Sequence, residues 1–95
     1  MHAVASNAAT VFRILANQDR LLLLQQLSHN EMSVSELEEA LSIHQPTLSQ
    51  QLGVLRTENL VQTRRDGKRI YYLVTDQKIL TILTMIYELY CHKDV

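Results

Sequence analysis

The apolar residues of this chain change their spacing twice, and that change limits what the chain can fold into more than any single motif. Up to Asn59 they recur at intervals of three and four, the period of helices buried on one face. From Val61 to Val74 the period is two: Val61 and Thr63 alternate with Gln62 and Arg64, then Ile70, Tyr72 and Val74 with Tyr71 and Leu73. Between these runs stands Arg65-Asp66-Gly67-Lys68, whose Asp-Gly is a strong two-residue hairpin signal. Beyond Asp76 the helical period returns. The chain is thus predicted to consist of helices with one β-hairpin let into them, cations gathered at its tip.

The first helix spans Ala3 to Ala16, with Val4, Ala8, Val11, Phe12 and Leu15 on one side and Asn17 as break and cap. A second, Gln18 to Leu27, opens with Asp19 at its positive end and is closed by Ser28-His29-Asn30. Its run Leu21 to Leu24 makes it apolar nearly all round, hence central and buried. Ser33, followed by Glu36, starts a third helix with a capping box, and Val34, Leu37, Ala40 and Leu41 form its inward stripe. Glu36, Glu38 and Glu39 read as a solvated face. Ser42-Ile43-His44 then leads into a fourth helix with Pro46 in its first turn and Leu48, Leu52 and Leu55 on one face. The last helix, capped by Asp76 and running to Tyr90 or His92, carries Ile, Leu, Met and Tyr on more than one face. It cannot bury them all within 95 residues. The expected outcome is a homodimer through the terminal helices, with Tyr87 and Tyr90 at the seam.

The open face of the fourth helix holds Thr47, Ser49, Gln50, Gln51 and Gly53, short uncharged groups able to read base edges in a major groove. Alone, such a helix reads as a solvated amphipathic one. Its neighbours change that reading: two short helices joined by a short turn, the second polar outward, form a helix-turn-helix, and the hairpin after them is a wing. Net charge is only −1, yet five of the nine cations (Arg56, Arg64, Arg65, Lys68 and Arg69) lie between positions 56 and 69, against Glu58 and Asp66. One cationic edge suffices to meet phosphates. The predicted fold is mostly α with a β-hairpin wing, a winged helix-turn-helix of four helices, two strands and a fifth helix in one domain over residues 1–95. Gln45, Thr47, Ser49, Gln50 and Gln51 are the candidates for base and adjacent phosphate contacts. Arg64, Arg65, Lys68 and Arg69 are the candidates for backbone phosphates or the minor groove.

No phosphate-cradling glycine loop, nucleophile elbow or metal-spaced His and carboxylate cluster points to an enzyme, and no cofactor is implied. The apolar run Leu21 to Leu24 is far too short to span a membrane, and no secretory signal is read at the N-terminus. One cysteine allows no internal disulfide, in keeping with the cytosol. Two rivals stand beside an operator-binding regulator. One is a winged helix used for protein–protein contact, which would more often expose apolar anchors than uncharged polar groups and cationic tips. The other binds DNA without any inducer.

Leu15-Ala16-Asn17-Gln18-Asp19-Arg20-Leu21, Ser33-Val34-Ser35-Glu36-Leu37, Pro46-Thr47-Leu48-Ser49-Gln50-Gln51-Leu52, Leu55-Arg56 and Leu60-Val61 occur in an order and spacing that resembles the ArsR/SmtB family of bacterial repressors over nearly the whole chain. Within it the chain is similar to the BigR/HlyU-like, sulfur-responsive branch. The resemblance implies a homodimer on an inverted-repeat operator, released by an inducer. The positions matching the family's Cys-x-Cys metal site are Ser33 and Ser35, poor ligands for soft metals, and its other metal site is met only by Asp76 and His92, so no metal is expected. The branch senses reactive sulfur through two cysteines. Cys91 matches one of them and Gln25 stands at the other position, so an intramolecular sulfur bridge is not expected; Cys91 alone remains for persulfidation, oxidation or a bridge to another chain, or serves as a small apolar filler.

Overall fold

A computed structural model describes residues 1–91. The elements run α1 (His2–Leu15), α2 (Gln18–His29), β1 (Met32–Ser33), α3 (Val34–Leu41), α4 (Thr47–Thr57), β2 (Gln62–Asp66), β3 (Arg69–Leu73) and α5 (Gln77–Tyr90). This is the winged helix-turn-helix expected from the spacing, with one added strand. The possible extension of α5 to His92 lies outside the described residues.

α2 is the hub. It packs against α1, α3, α4, α5 and β3, and its Leu23, Leu24 and Leu27 are buried, although Leu22 stays 39 % exposed, so burial is not complete all round. Seven leucines (Leu23, Leu24, Leu37, Leu48, Leu52, Leu55 and Leu83) are each under 2 % exposed and come from four helices, which makes them the centre of one core. α2 continues two residues past the expected Leu27, because Asn30 N–H still reaches the Gln26 carbonyl.

The helix starts follow local chemistry. Asn17 Oδ1 accepts from Arg20 N–H at 3.0 Å, and Asp76 Oδ1 from Lys78 N–H at 2.8 Å. The capping box is complete: Glu36 N–H donates to Ser33 Oγ at 3.3 Å, and Ser33 N–H to Glu36 Oε1 at 2.8 Å. In α3 only Leu37 is fully buried; Ala40, expected inward, is exposed in a groove beside Arg69 of the wing. The turn into α4 is longer than expected. Ser42 takes a left-handed conformation (φ 56°), Ile43 is buried, and Pro46 caps α4 from outside its first turn.

α4 ends in a Schellman motif at Asn59 (φ 64°): Leu60 N–H returns to the Leu55 carbonyl at 2.9 Å and Asn59 N–H to that of Arg56 at 3.1 Å. Both Leu55 and Leu60 are buried, so the turn that ends the helix also aims the chain into the wing.

The sheet is antiparallel in the order β1-β3-β2. β1 was not anticipated, because two residues are too few to show a period; Met32 pairs with Tyr72 and Ser33 with Tyr71. In the hairpin Asp66 pairs with Arg69, so the two-residue loop is Gly67-Lys68 rather than Asp66-Gly67. Gly67 holds the positive φ of 63° that the first loop position needs. This register pairs Thr63 with Tyr72, which packs on the core, and a slip of one residue would turn Tyr72 outward. No buried side-chain polar atom among the described residues lacks a partner, and no described helix is long and apolar enough to cross a membrane.

Leu24→Ala is expected to cost about 2–5 kcal/mol in urea unfolding, and Leu22→Ala under about 1 kcal/mol, because only Leu24 would leave a cavity among packed neighbours. Equal losses for the two would contradict α2 as the centre of the core.

Candidate nucleic-acid interface

α4 is held from one side. Leu48, Leu52 and Leu55 are at most 1 % exposed, whereas Ser49, Gln50, Gly53 and Val54 face out. Its N-terminus is closed by a side chain from outside the helix: Ser49 N–H donates to Gln45 Oε1 at 3.1 Å. Gln45 therefore shapes the entry to α4 while remaining exposed. Thr47 is half-buried. Gln50 is exposed, and its amide makes no hydrogen bond among the described residues, so both its donor and its acceptor face outward.

Gln51 is placed differently from its neighbour. It is half-buried, and its Oε1 accepts from Arg20 Nη1 at 3.1 Å, while Arg20 Nε donates to the Ile14 carbonyl at 2.7 Å. Arg20 is a half-buried cation of α2 that periodicity did not single out; its one sequence signal is a charge next to the apolar run Leu21 to Leu24.

The wing divides its cations into two groups. Arg64 Nε donates to Glu31 Oε2 at 2.7 Å, Arg64 Nη2 contacts Glu31 Oε1, and the guanidinium lies 4.8 Å from the centre of the Tyr71 ring. Hydrogen bonding to Arg64 holds the Glu31 carboxyl below its ordinary value, and Glu31 raises Arg64 in return. Arg64 is thus neutralised at the root of the wing. Arg65, Lys68 and Arg69 are exposed and form no ion pair among the described residues, and Lys68 and Arg69 border a groove against Ser33 of β1 and Ser35 and Glu38 of α3. The structure therefore separates Arg64 from the three other predicted wing contacts.

The predicted sensing positions do not come together. Gln25 Nε2 donates to the Leu83 carbonyl at 3.0 Å, about 12 Å along α5 from Cys91 at the usual rise per residue. Cys91 is exposed at the C-cap of α5, where its N–H donates to the Tyr87 carbonyl at 2.8 Å, and the nearby thiol raises the Tyr87 phenol above its ordinary value. Ser33 and Ser35 contact each other at 3.3 Å beside the capping box. No three His, Cys, Asp or Glu side chains among the described residues group closely enough to hold a metal, and His92 lies outside those residues.

Two short helices joined by the turn at residues 42–46, the second buried by leucines and presenting uncharged polar groups, followed by a cationic hairpin, define a winged helix-turn-helix of the DNA-binding class. The profile described as "Bacterial regulatory protein, arsR family" matches residues 17–63. The chain belongs to this family of transcriptional regulators. It is 43 % identical over 91 residues to the biofilm growth-associated repressor of Agrobacterium fabrum, covering 96 % of this chain and 78 % of that protein. The crystal structure of the repressor BigR from Xylella fastidiosa superposes with a TM-score of 0.88 at 40 % identity, over 100 % of this chain and 96 % of that one. HlyU from Vibrio cholerae gives 0.91 at 33 % identity, over 97 % and 100 %.

The folded-state pKa of Glu31 is lowered, so its pairing contributes above the ordinary carboxylate range and is lost as pH falls through the lowered value. At neutral pH Arg64 is occupied. Glu31→Gln is expected to release it, raising affinity for random DNA at neutral pH and steepening the log–log salt dependence by about one per chain. Weaker random-DNA binding by Glu31→Gln would show instead that the pair serves DNA by holding the wing in place.

Proposed function

We propose that this chain is a homodimeric repressor that binds an inverted-repeat operator in the bacterial cytosol. The observation that carries the reading is the one-sided burial of α4: three leucines inside, Ser49 and an unengaged Gln50 outside. Gln50 can offer donor and acceptor together to an adenine edge. Thr47 and Gln45 lie at the helix start, where backbone phosphates pass. Arg65, Lys68 and Arg69 serve phosphates from the wing, with Arg64 entering only when Glu31 lets it go. The sense of regulation, repression, is carried over from the biofilm growth-associated repressor that the chain resembles.

Surface left uncovered supports the second copy. Val4 and Phe12 of α1 and Met85, Leu89 and Tyr90 of α5 are more than half exposed. The radius of gyration is 14.0 Å, against about 12.4 Å for a compact chain of this length. Pairing α1 and α5 across a twofold axis buries these side chains and places two α4 helices for successive major grooves. A response to reactive sulfur would run through Cys91, the one thiol of the chain, without Gln25. Cys91→Ser would then hold the operator in the presence of polysulfide.

With three free cations per chain, operator affinity is expected to fall with salt at a log–log slope of about −5 for the dimer. A gel shift on the DNA upstream of its own gene tests this, and no salt-dependent shift there would favour a protein-binding role. Gln50→Ala should lower operator affinity about tenfold or more while sparing random DNA, whereas Lys68→Ala should weaken both alike. An equal loss on both DNAs for Gln50→Ala would remove it from base reading.

Met85→Glu is expected to give a helical monomer in sedimentation that no longer shifts the operator. A dimer persisting in that variant would place the seam elsewhere.

A further inference from the structure

We infer that Arg20 is a positioning residue for the reading helix, and that Gln51 is its anchor on α4 rather than a base reader. The inference rests on the operator-binding reading above and assigns a task within it. The leucines beneath α4 attach it by contacts without direction, which tolerate a small rotation about the helix axis or a slide. Each residue along a helix turns the outward direction by about 100°, so a modest rotation re-aims Gln50 and Ser49. A hydrogen bond from a fixed guanidinium does have direction.

Arg20 supplies that bond from a site fixed on two other helices. Its backbone N–H is held by Asn17 Oδ1 at the start of α2, and its Nε donates at 2.7 Å to the Ile14 carbonyl, in the last turn of α1. That carbonyl is one of those a helix end leaves unpaired. Nη1 then reaches Gln51 Oε1 at 3.1 Å. One planar cation thereby ties α1, α2 and α4 together, and on the proposed dimer it connects the α1 seam to the groove-reading face. Bidentate recognition of adenine needs both ends of a glutamine amide. Gln51 has already committed its oxygen, whereas Gln50 has committed neither end.

The test uses the full-length protein and four variants. Gln51→Met removes the acceptor at similar length, Gln51→Glu keeps it, Arg20→Lys replaces two separated, planar donors with one ammonium, and the fourth joins Gln51→Met with Arg20→Lys. The readouts are the ratio of operator to random-DNA affinity, the thermal midpoint, and the Gln51 side-chain amide resonance of the free protein. Gln51→Met and Arg20→Lys should each lower the affinity ratio about tenfold, with the double variant no worse than either alone. Gln51→Glu should keep the ratio within about threefold, because its carboxylate still accepts from Arg20.

Arg20→Lys should also shift the Gln51 amide resonance without any DNA present. That readout is independent of operator binding: a wild type without operator preference would end the functional reading, whereas an unmoved resonance would end this one. Loss of operator preference in Gln51→Glu with Arg20→Lys unaffected would return Gln51 to base reading. Additive losses, or lowered midpoints with an unchanged ratio, would also overturn the positioning role.

Discussion

The structure depends on the burial of one side of a short helix. Leu48, Leu52 and Leu55 enter the same core as Leu23, Leu24 and Leu37, and this holds α4 against the body. Each buried leucine contributes roughly 1.5–3 kcal/mol, more than any exposed polar contact on the opposite face could recover. The outward groups of α4 are therefore free of structural duty. A surface that is not needed to hold the fold is one that can be given to a partner.

Hydrophobic contact fixes depth well and rotation poorly, and polar links complete the placement. Ser33 closes β1, pairs with Tyr71 across the sheet and caps α3, so the root of the wing and the helix-turn-helix share one residue. Asn59 ends α4 and starts the wing in one left-handed step. Arg20 and Gln51 join α2 to α4, and Glu31 and Arg64 join the wing to the segment before α3. The last pair is exposed and adds little to stability, yet it engages one of the four wing cations and leaves Arg65, Lys68 and Arg69 without an ion pair among the described residues.

The apolar surface follows the same economy. α5 buries Ile79 and Leu83 and leaves Met85, Leu89 and Tyr90 outside, on a chain more extended than a compact one of its length. On the proposed dimer, recognition and assembly use separate surfaces. Gln25, bonded to the Leu83 carbonyl, ties α5 to α2 by a link that contains no sulfur.

Much of this was legible in the residues alone. The order of helices, the hairpin, the caps at Asn17, Ser33 and Asp76, the inward leucines of α4 and the apolar excess of α5 all follow from periods and cap chemistry that act within a few residues. The strand Met32–Ser33 was not legible, since two residues carry no period and its pairing lies about forty residues away. Nor could the sequence tell Gln50 from Gln51, or Arg64 from Arg65. What distinguishes them is a partner 31 or 33 positions distant, brought near only when the core closes. Local spacing determined which faces are buried and which are polar, because helix and strand geometry is local. Which of those polar groups remain free to meet DNA was decided by tertiary packing, because a hydrogen-bond partner is a matter of position in space.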